Sequence, residues 1–482
     1  MNGQSAGTYM LRIATALSIG IVLTLLAGCG GAPVATDPIS PLRASPGRAT
    51  AQLHWRETLL HSFDYKDGAY DTYSGLIFDA AGDLYGTAQF GGGSICDYDE
   101  SCGVVFELTR GTGNKWTETL VHSFSQCDAL GFWPRSGLIA DAKGNLYGTT
   151  DTGGPHCDGV GPGTVFELSP NDGTWTPQVI YQFLGGSDGD GPQAALTFDA
   201  AGNLYGTTSE GGDRDDGTVF ELKPQRNGTW LKLRLHSFTN REGWGPQSKL
   251  TLDKAGDLYG TTDFGGAYRS GCGGYGCGTA FALKPGPNGS WNLKVLHSFG
   301  HPNDGAGPVS GLTVDSAGHL FGVTAQGGMH GSACLNYGCG TVYELLRQKT
   351  RWTERIIHEF GSGTDGSLPR GDLVFDQSGA LYGTAVLGGL YGAGNAFRLI
   401  PGAKGKWQED VLHNFGRHKD GVNPYSGMIF DKAQNLYGTT ASGGKYDVGA
   451  CLKSHGCGTI FEIATGGLYA PGGVAYYPPL LP

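Results

Sequence analysis

The chain has 482 residues, a net charge of −11 and 86 glycines. Glycine at that level, far above the ordinary ~7%, has no Gly-X-Y period and so excludes collagen, while aromatic residues at 11% are too many for a disordered chain. The acidic balance and the lack of any Lys/Arg cluster argue against a nucleic-acid partner.

Residues 1–28 carry Arg12, an apolar run over 14–26 and then "LLAGC". A positive start, an apolar stretch and small residues before a cleavage point make a secretory signal, and the run is short for a span of about 20 residues. The cysteine after Leu26-Ala27-Gly28 makes the segment similar to a bacterial lipoprotein signal. That similarity implies cleavage before Cys29, lipid on Cys29, and, because Gly30 rather than Asp follows, delivery to the outer membrane of the cell envelope. Membrane contact is then expected through the lipid alone. Residues 29–52, rich in Pro, Ala, Ser and Gly, are predicted to be a flexible tether. Residues 465–482 form a Pro/Gly-rich tail in which Tyr469, Tyr476 and Tyr477 are free to pack on the fold or hang clear.

Between them the chain repeats itself. Trp followed by a strand-like run ending in "HSF" or a variant begins at Trp55, Trp116, Trp175, Trp230, Trp291, Trp352 and Trp407, at spacings of 61, 59, 55, 61, 61 and 55 residues. Each copy continues with "GLIFD", "LYGTT" and "GTVFEL" or their variants. These four segments run or alternate apolar over 4–8 residues and are rich in Val, Ile, Thr, Phe and Tyr, which predicts strands. Four antiparallel strands repeated seven times predict an all-β, seven-bladed propeller over 53–464, since radial packing buries faces that a single sheet cannot. The chain starts on a Trp…Phe strand (55–63) and ends on "GTIFEI" (458–463). These two are predicted to pair and close the ring, because an open array would leave two exposed edges.

The repeat "LHSF…DG…P…GL…D..GNLYGTT..GG…GTVF.L" resembles the GloVer tandem-repeat family of exported bacterial proteins, and its "GL.FD.AGNLYG" part is similar to NHL-type propeller repeats. The resemblance implies an anchored propeller and brings no established activity.

Residues that recur in every copy are predicted to be structural. Asp79, Asp141, Asp199, Asp253, Asp315, Asp376 and Asp431 open a hairpin turn, glycine-containing in the first six copies, in which a carboxylate can accept backbone N–H bonds. His61, His122, His236, His297, His358 and His413, with Tyr181 in the third copy, fall on different blades and are expected to be satisfied strand residues. The strand-starting Trp is expected to pack between blades.

Function is expected on the face that carries the loops after "LYGTT" and those between blades. Ten cysteines remain besides Cys29, and all fall there. Cys96/Cys102, Cys272/Cys277, Cys334/Cys339 and Cys451/Cys457 form close pairs, and Cys127 and Cys157 lie on loops that emerge together. Five disulfides are expected in an exported chain; zinc sites, the rival, prefer paired knuckles that these separate repeats do not offer. Just before each inner strand one position varies, as Tyr73, Arg135, Gln193, Gln247, Val309, Arg370 and Tyr425. The repeat geometry predicts these around the mouth of the central channel, with Trp133 beside them. Lys249 and Asp372 replace the small residue usual at the innermost position. This set predicts a binding or scaffold module that recognises a glycan, or another polar or protein ligand. The alternative is a polysaccharide lyase or hydrolase using Asp372, Arg370, Arg135 and Lys249, although no nucleophile–base pair is visible in their spacing. No cofactor or metal is expected; calcium at "GSDGDG" (186–191) or the related Asp-Gly turns at Asp67, Asp304, Asp365 and Asp420 is the one candidate. A monomer is expected.

Overall fold

The computed structural model describes residues 55–68, 74–94, 96, 101–126, 128–154, 161–268, 272–301, 304–328, 334, 338–349, 351–361, 364–417, 419–446, 456–465, 468–469 and 475–476. The signal segment, the tether, Cys29, Tyr73, Cys127, Cys157 and Cys451 lie outside the described residues.

The repeated strands build seven antiparallel sheets; in six the strands run outward from the inner one in chain order, and the seventh takes its outer strand from the start of the fold. Blade 1 comprises Ile77–Phe78, Leu84–Ala88, Val104–Arg110 and Trp116–Ser123. Blades 2 to 6 follow the same plan, with inner strands Ile139–Ala140, Thr197–Phe198, Thr251–Leu252, Thr313–Val314 and Val374–Phe375. Blade 7 has Ile429–Phe430, Leu436–Thr440 and Thr459–Thr465, and its outer strand is Trp55–Ser62 from the start of the fold. Trp55 pairs with Thr465 and Ser62 with Thr459, so the two ends close the ring in one sheet. Among the described residues the helices are all short 3-10 turns.

The sequence explains the close packing within a blade. Gly86 of "LYGT" faces Phe106 across the sheet, and a Cβ there would fall 2.5 Å from the ring. The same Gly–Phe pairing recurs at Gly148/Phe166, Gly206/Phe220 and Gly438/Phe461. Core clusters then lie between blades. One joins Tyr147 and Val165 of blade 2 to Leu196, Leu204 and Phe220 of blade 3. Each strand-starting Trp meets the "LYG" aromatic of the preceding blade edge-on, as in Trp175–Tyr85 (5.9 Å), Trp230–Tyr147 (6.4 Å) and Trp55–Tyr382 (6.3 Å). Such pairs contribute about 0.5–1.5 kcal/mol each beyond their area.

The inner strands are shorter than the 4–8 residues expected: only two residues of each make the ladder. The serine ahead of them takes over. Ser74 Oγ accepts the Thr87 N–H at 3.3 Å, and Ser136, Ser248, Ser310 and Ser426 do the same for Thr149, Thr261, Val323 and Thr439. The threonine of "LYGT" then reaches outward: Thr87 Oγ1 donates to the Ser136 carbonyl (2.8 Å), Thr261 to Ser310 (2.9 Å) and Thr384 to Ser426 (2.8 Å), each in the next blade. Thr439 donates to Ser74 across the closure. Side chains thus replace a ladder where the strands converge on the axis.

The recurrent Asp residues act as the turn chemistry predicts. Asp199 Oδ1 accepts the N–H groups of Ala201 and Asn203, and Oδ2 accepts from Tyr205 Oη. In the tail, Leu468–Tyr469 pairs with Ala475–Tyr476.

Candidate functional site

The loops of the cysteine-bearing face are joined to each other. Phe132 bridges Thr152, Trp244 bridges Phe264 and Val422 bridges Ser442, and Gly366–Pro369 adds a strand beside Leu381–Gly388. In each case an inter-blade loop pairs with the loop after the second strand of the next blade. The residue before a proline in these loops has positive φ: Gly191, Gly245 and Gly307, but also Trp133 (φ 59), Leu368 (φ 57) and Asn423 (φ 59). A non-glycine residue there costs about 1–2 kcal/mol. Its N–H is used to hold the preceding blade, Trp133 to the Cys102 carbonyl (2.9 Å), Leu368 to Cys339 (2.8 Å) and Asn423 to Ala393 (2.9 Å). Two residues later come Arg135, Gln193, Gln247, Val309, Arg370 and Tyr425, each shortly before an inner strand.

The structure brings the predicted residues into two groups. Asp151 accepts from Gln193 Nε2 (2.8 Å) and lies 3.6 Å from Arg135 Nε, linking blades 2 and 3. Arg370 sits over the Tyr425 ring at 5.7 Å. The charge of Arg370 also acts on Asp263, whose carboxyl is pushed up by burial and brought partly back by that guanidinium. Arg135 Nε and Arg370 Nε are buried and make no hydrogen bond. Lys249 and Gln247 are exposed. Asp372 turns its carboxylate onto the Gly311 N–H of the neighbouring blade at 2.6 Å, so one oxygen serves the ring. Trp133 is half-buried: its Nε1 donates to the Ser101 carbonyl (3.1 Å) and its ring meets Phe90 and Phe132. Nearby, Asp190 is raised to about 6 by burial, Asp151 and Asp215, with the Gly191 N–H opposing.

Disulfides join Cys96 to Cys102, Cys272 to Cys277 and Cys334 to Cys339, and Cys457 is also disulfide-bonded.

Sequence reasoning missed a second set of residues, at the junctions between blades. A bulge precedes each His of the outer strands, at Leu60 and its counterparts. A bulge re-aims the side chain that follows it, and the His meets the acid of the next loop. His61 pairs with Asp67 (2.9 Å), His122 with Asp128 (2.6 Å), His297 with Asp304 (2.9 Å) and His413 with Asp420 (2.8 Å), and Tyr181 Oη donates to Asp188 (3.0 Å). The Asp-Gly residues considered for calcium are therefore partners of the strand histidines. Asp188 is held by Tyr181 and Lys232, whereas Asp190 is acted on by Asp151 and Asp215. Two residues after the strand-starting Trp, the following blade adds Glu57, Glu118, Glu354 and Glu409, each raised to about 7, first by burial. His297, Asp304 and Glu354, and likewise His358, Asp365 and Glu409, bring three potential metal-binding atoms within 4.8 Å of one another. The visible signal was the second position after Trp, which reads Glu, Glu, Pro, Lys, Leu, Glu, Glu around the ring.

Residues 50–272, 158–335 and 331–469 match the Gloeobacter/Verrucomicrobia repeat. No curated protein matches the chain. Among solved structures, the chain is similar to a putative oxidoreductase (glucose dehydrogenase) from Thermus thermophilus, at 16% identity and a TM-score of 0.40, over 85% of this chain and 100% of that one.

Proposed function

The chain belongs to the Gloeobacter/Verrucomicrobia repeat family, and we propose that it is a cell-envelope binding module that recognises a glycan or another polar ligand at the channel mouth. The observation that carries this reading is the pair Arg135 and Arg370. Both stand at the position before the inner strand that varies from blade to blade; Arg370 Nε makes no hydrogen bond, and Arg135 Nε has only the Asp151 carboxylate at 3.6 Å. A buried unmade hydrogen bond costs about 1–3 kcal/mol or more for a charged group, so an incoming oxygen acceptor is favoured there. Tyr425 offers a ring face beside Arg370, and Asp151 and Gln193 offer fixed polar atoms beside Arg135. Rigid propeller loops present such groups without ordering cost. Export fits the disulfides; lipid on Cys29 would hold the propeller at the outer membrane through the 29–52 tether.

The test is a glycan array of neutral and acidic oligosaccharides read with the full chain and with Arg135→Ala/Arg370→Ala. Binding that drops at least about tenfold in the double variant is expected. An array pattern that is identical for the two proteins would refute recognition at the mouth. Cys29→Ser is expected to move the chain from the membrane fraction to the soluble fraction.

A further inference from the structure

The seven junctions form a natural comparison within one chain. Each places the residue two after the strand-starting Trp against the His–acid or Tyr–acid pair of the preceding blade. Where that pair is Tyr181–Asp188, the facing residue is Lys232. Its Nζ is 2.7 Å from Asp188 Oδ1 with only 6% of the side chain exposed, so the chain itself supplies the cation. Where the pair is His358–Asp365 the facing residue is Glu409, a second carboxylate in place of the lysine. Two carboxylates gathered in a buried place need either a positive charge between them or a proton on one of them.

At that junction the atoms converge without bonding. His358 Nε2 is 3.2 Å from Asp365 Oδ2 and 4.0 Å from Glu409 Oε1. All three atoms are buried and make no hydrogen bond. The Asp365 side chain is only 3% exposed. Its other oxygen accepts the Gly366 N–H at 2.7 Å, which turns Oδ2 toward the cluster. The His358 ring is held edge-on against Phe360 at 4.6 Å.

We propose that His358, Asp365 and Glu409 form a site for a divalent transition-metal ion bridging blades 5 and 6, and that His297, Asp304 and Glu354 form a second one between blades 4 and 5. One imidazole and two carboxylates suit Zn²⁺ or Mn²⁺, whereas calcium wants six to eight oxygens. A dication balances the two carboxylates as Lys232 balances Asp188. A cleft of about 440 Å³ borders the second cluster and leaves room for solvent on the open side of the ion.

The experiment uses the full chain stripped with a chelator, then titrated with Zn²⁺ by calorimetry and with Co²⁺ by visible absorption. Two ions per chain are expected, with a Co²⁺ spectrum of nitrogen and oxygen ligands. Glu409→Lys copies the Lys232 arrangement, so it should fold with wild-type circular dichroism and bind one ion fewer. Glu354→Lys combined with it should remove both. Equal Zn²⁺ stoichiometry in the wild type and the folded double variant would overturn the proposal. So would a wild type that binds neither ion, which would leave a proton on Glu354 and Glu409 to relieve the clustered carboxylates.

Discussion

Glu118 gives a direct measure of how much charge the junctions bury. It belongs to blade 1 and faces the His61–Asp67 pair on blade 7. Burial pushes its carboxyl from 4.5 to about 7; Asp67 adds to the rise, His61 opposes it and Asp64 contributes less. An acid with a raised folded pKa holds its proton more tightly when folded. Its contribution to stability is therefore fully present below the unfolded value near 4.5 and is lost as pH rises through about 7. The interval corresponds to roughly 3 kcal/mol, which solvent access at the junction lowers to about 1–2 kcal/mol. The assay is urea unfolding of the wild type and Glu118→Gln at about pH 5 and about pH 8. Glu57, Glu354 and Glu409 titrate in both proteins and cancel in the difference. The wild type should lose about 1–2 kcal/mol more than the variant between the two pH values. An identical pH dependence for both, or a wild type that gains stability with rising pH relative to the variant, would refute the electrostatic reasoning.

Three further outcomes follow from the geometry. Gly217→Ala should cost about 3 kcal/mol in a denaturation experiment, because φ is +96 and the new Cβ would fall 2.5 Å from Pro246 Cδ and 2.6 Å from the Thr208 carbonyl oxygen. Thr87→Val breaks the bond to the Ser136 carbonyl and should cost about 1 kcal/mol, whereas Thr207→Val should be near neutral because Thr207 Oγ1 makes no hydrogen bond; equal costs would count against the inter-blade role. Lys232→Met should cost about 3 kcal/mol in urea unfolding, since it leaves the Asp188 carboxylate without its ion-pair partner.

Much of the architecture was legible because every blade needs the same parts. The Gly of "LYGT" clears space for a Phe, the Trp covers the neighbouring blade's aromatic, and the Asp caps a turn. Such requirements repeat, so they stand out in one sequence. The short inner strands were not legible. Their pattern is apolar enough to read as a full strand, but near the axis a serine hydroxyl replaces the backbone donor or acceptor. Trp133 was ambiguous for a related reason. An aromatic residue in a variable loop is as good a ligand platform as it is a plug, and only its bond to Ser101 and its contact with Phe132 distinguish the two.

The junction residues were hidden by a different property: their partners lie one blade away, some 50 residues distant in sequence, so no local motif joins them. Their logic appears only when the position facing each pair is compared around the ring. Lysine faces Tyr181–Asp188, and glutamate faces His61–Asp67, His297–Asp304, His358–Asp365 and His413–Asp420. At the His122 and His236 junctions the same position is Pro177 and Leu293, which bring no second charge. Where Tyr replaces His, Lys232 supplies the positive charge itself; where glutamate faces His, a proton on the glutamate or a bound ion relieves the crowded carboxylates. Constancy across the repeats therefore marks what builds the propeller, single departures such as Arg135 and Arg370 are the candidates for ligand contact, and charged departures at a junction mark charge that two blades balance together.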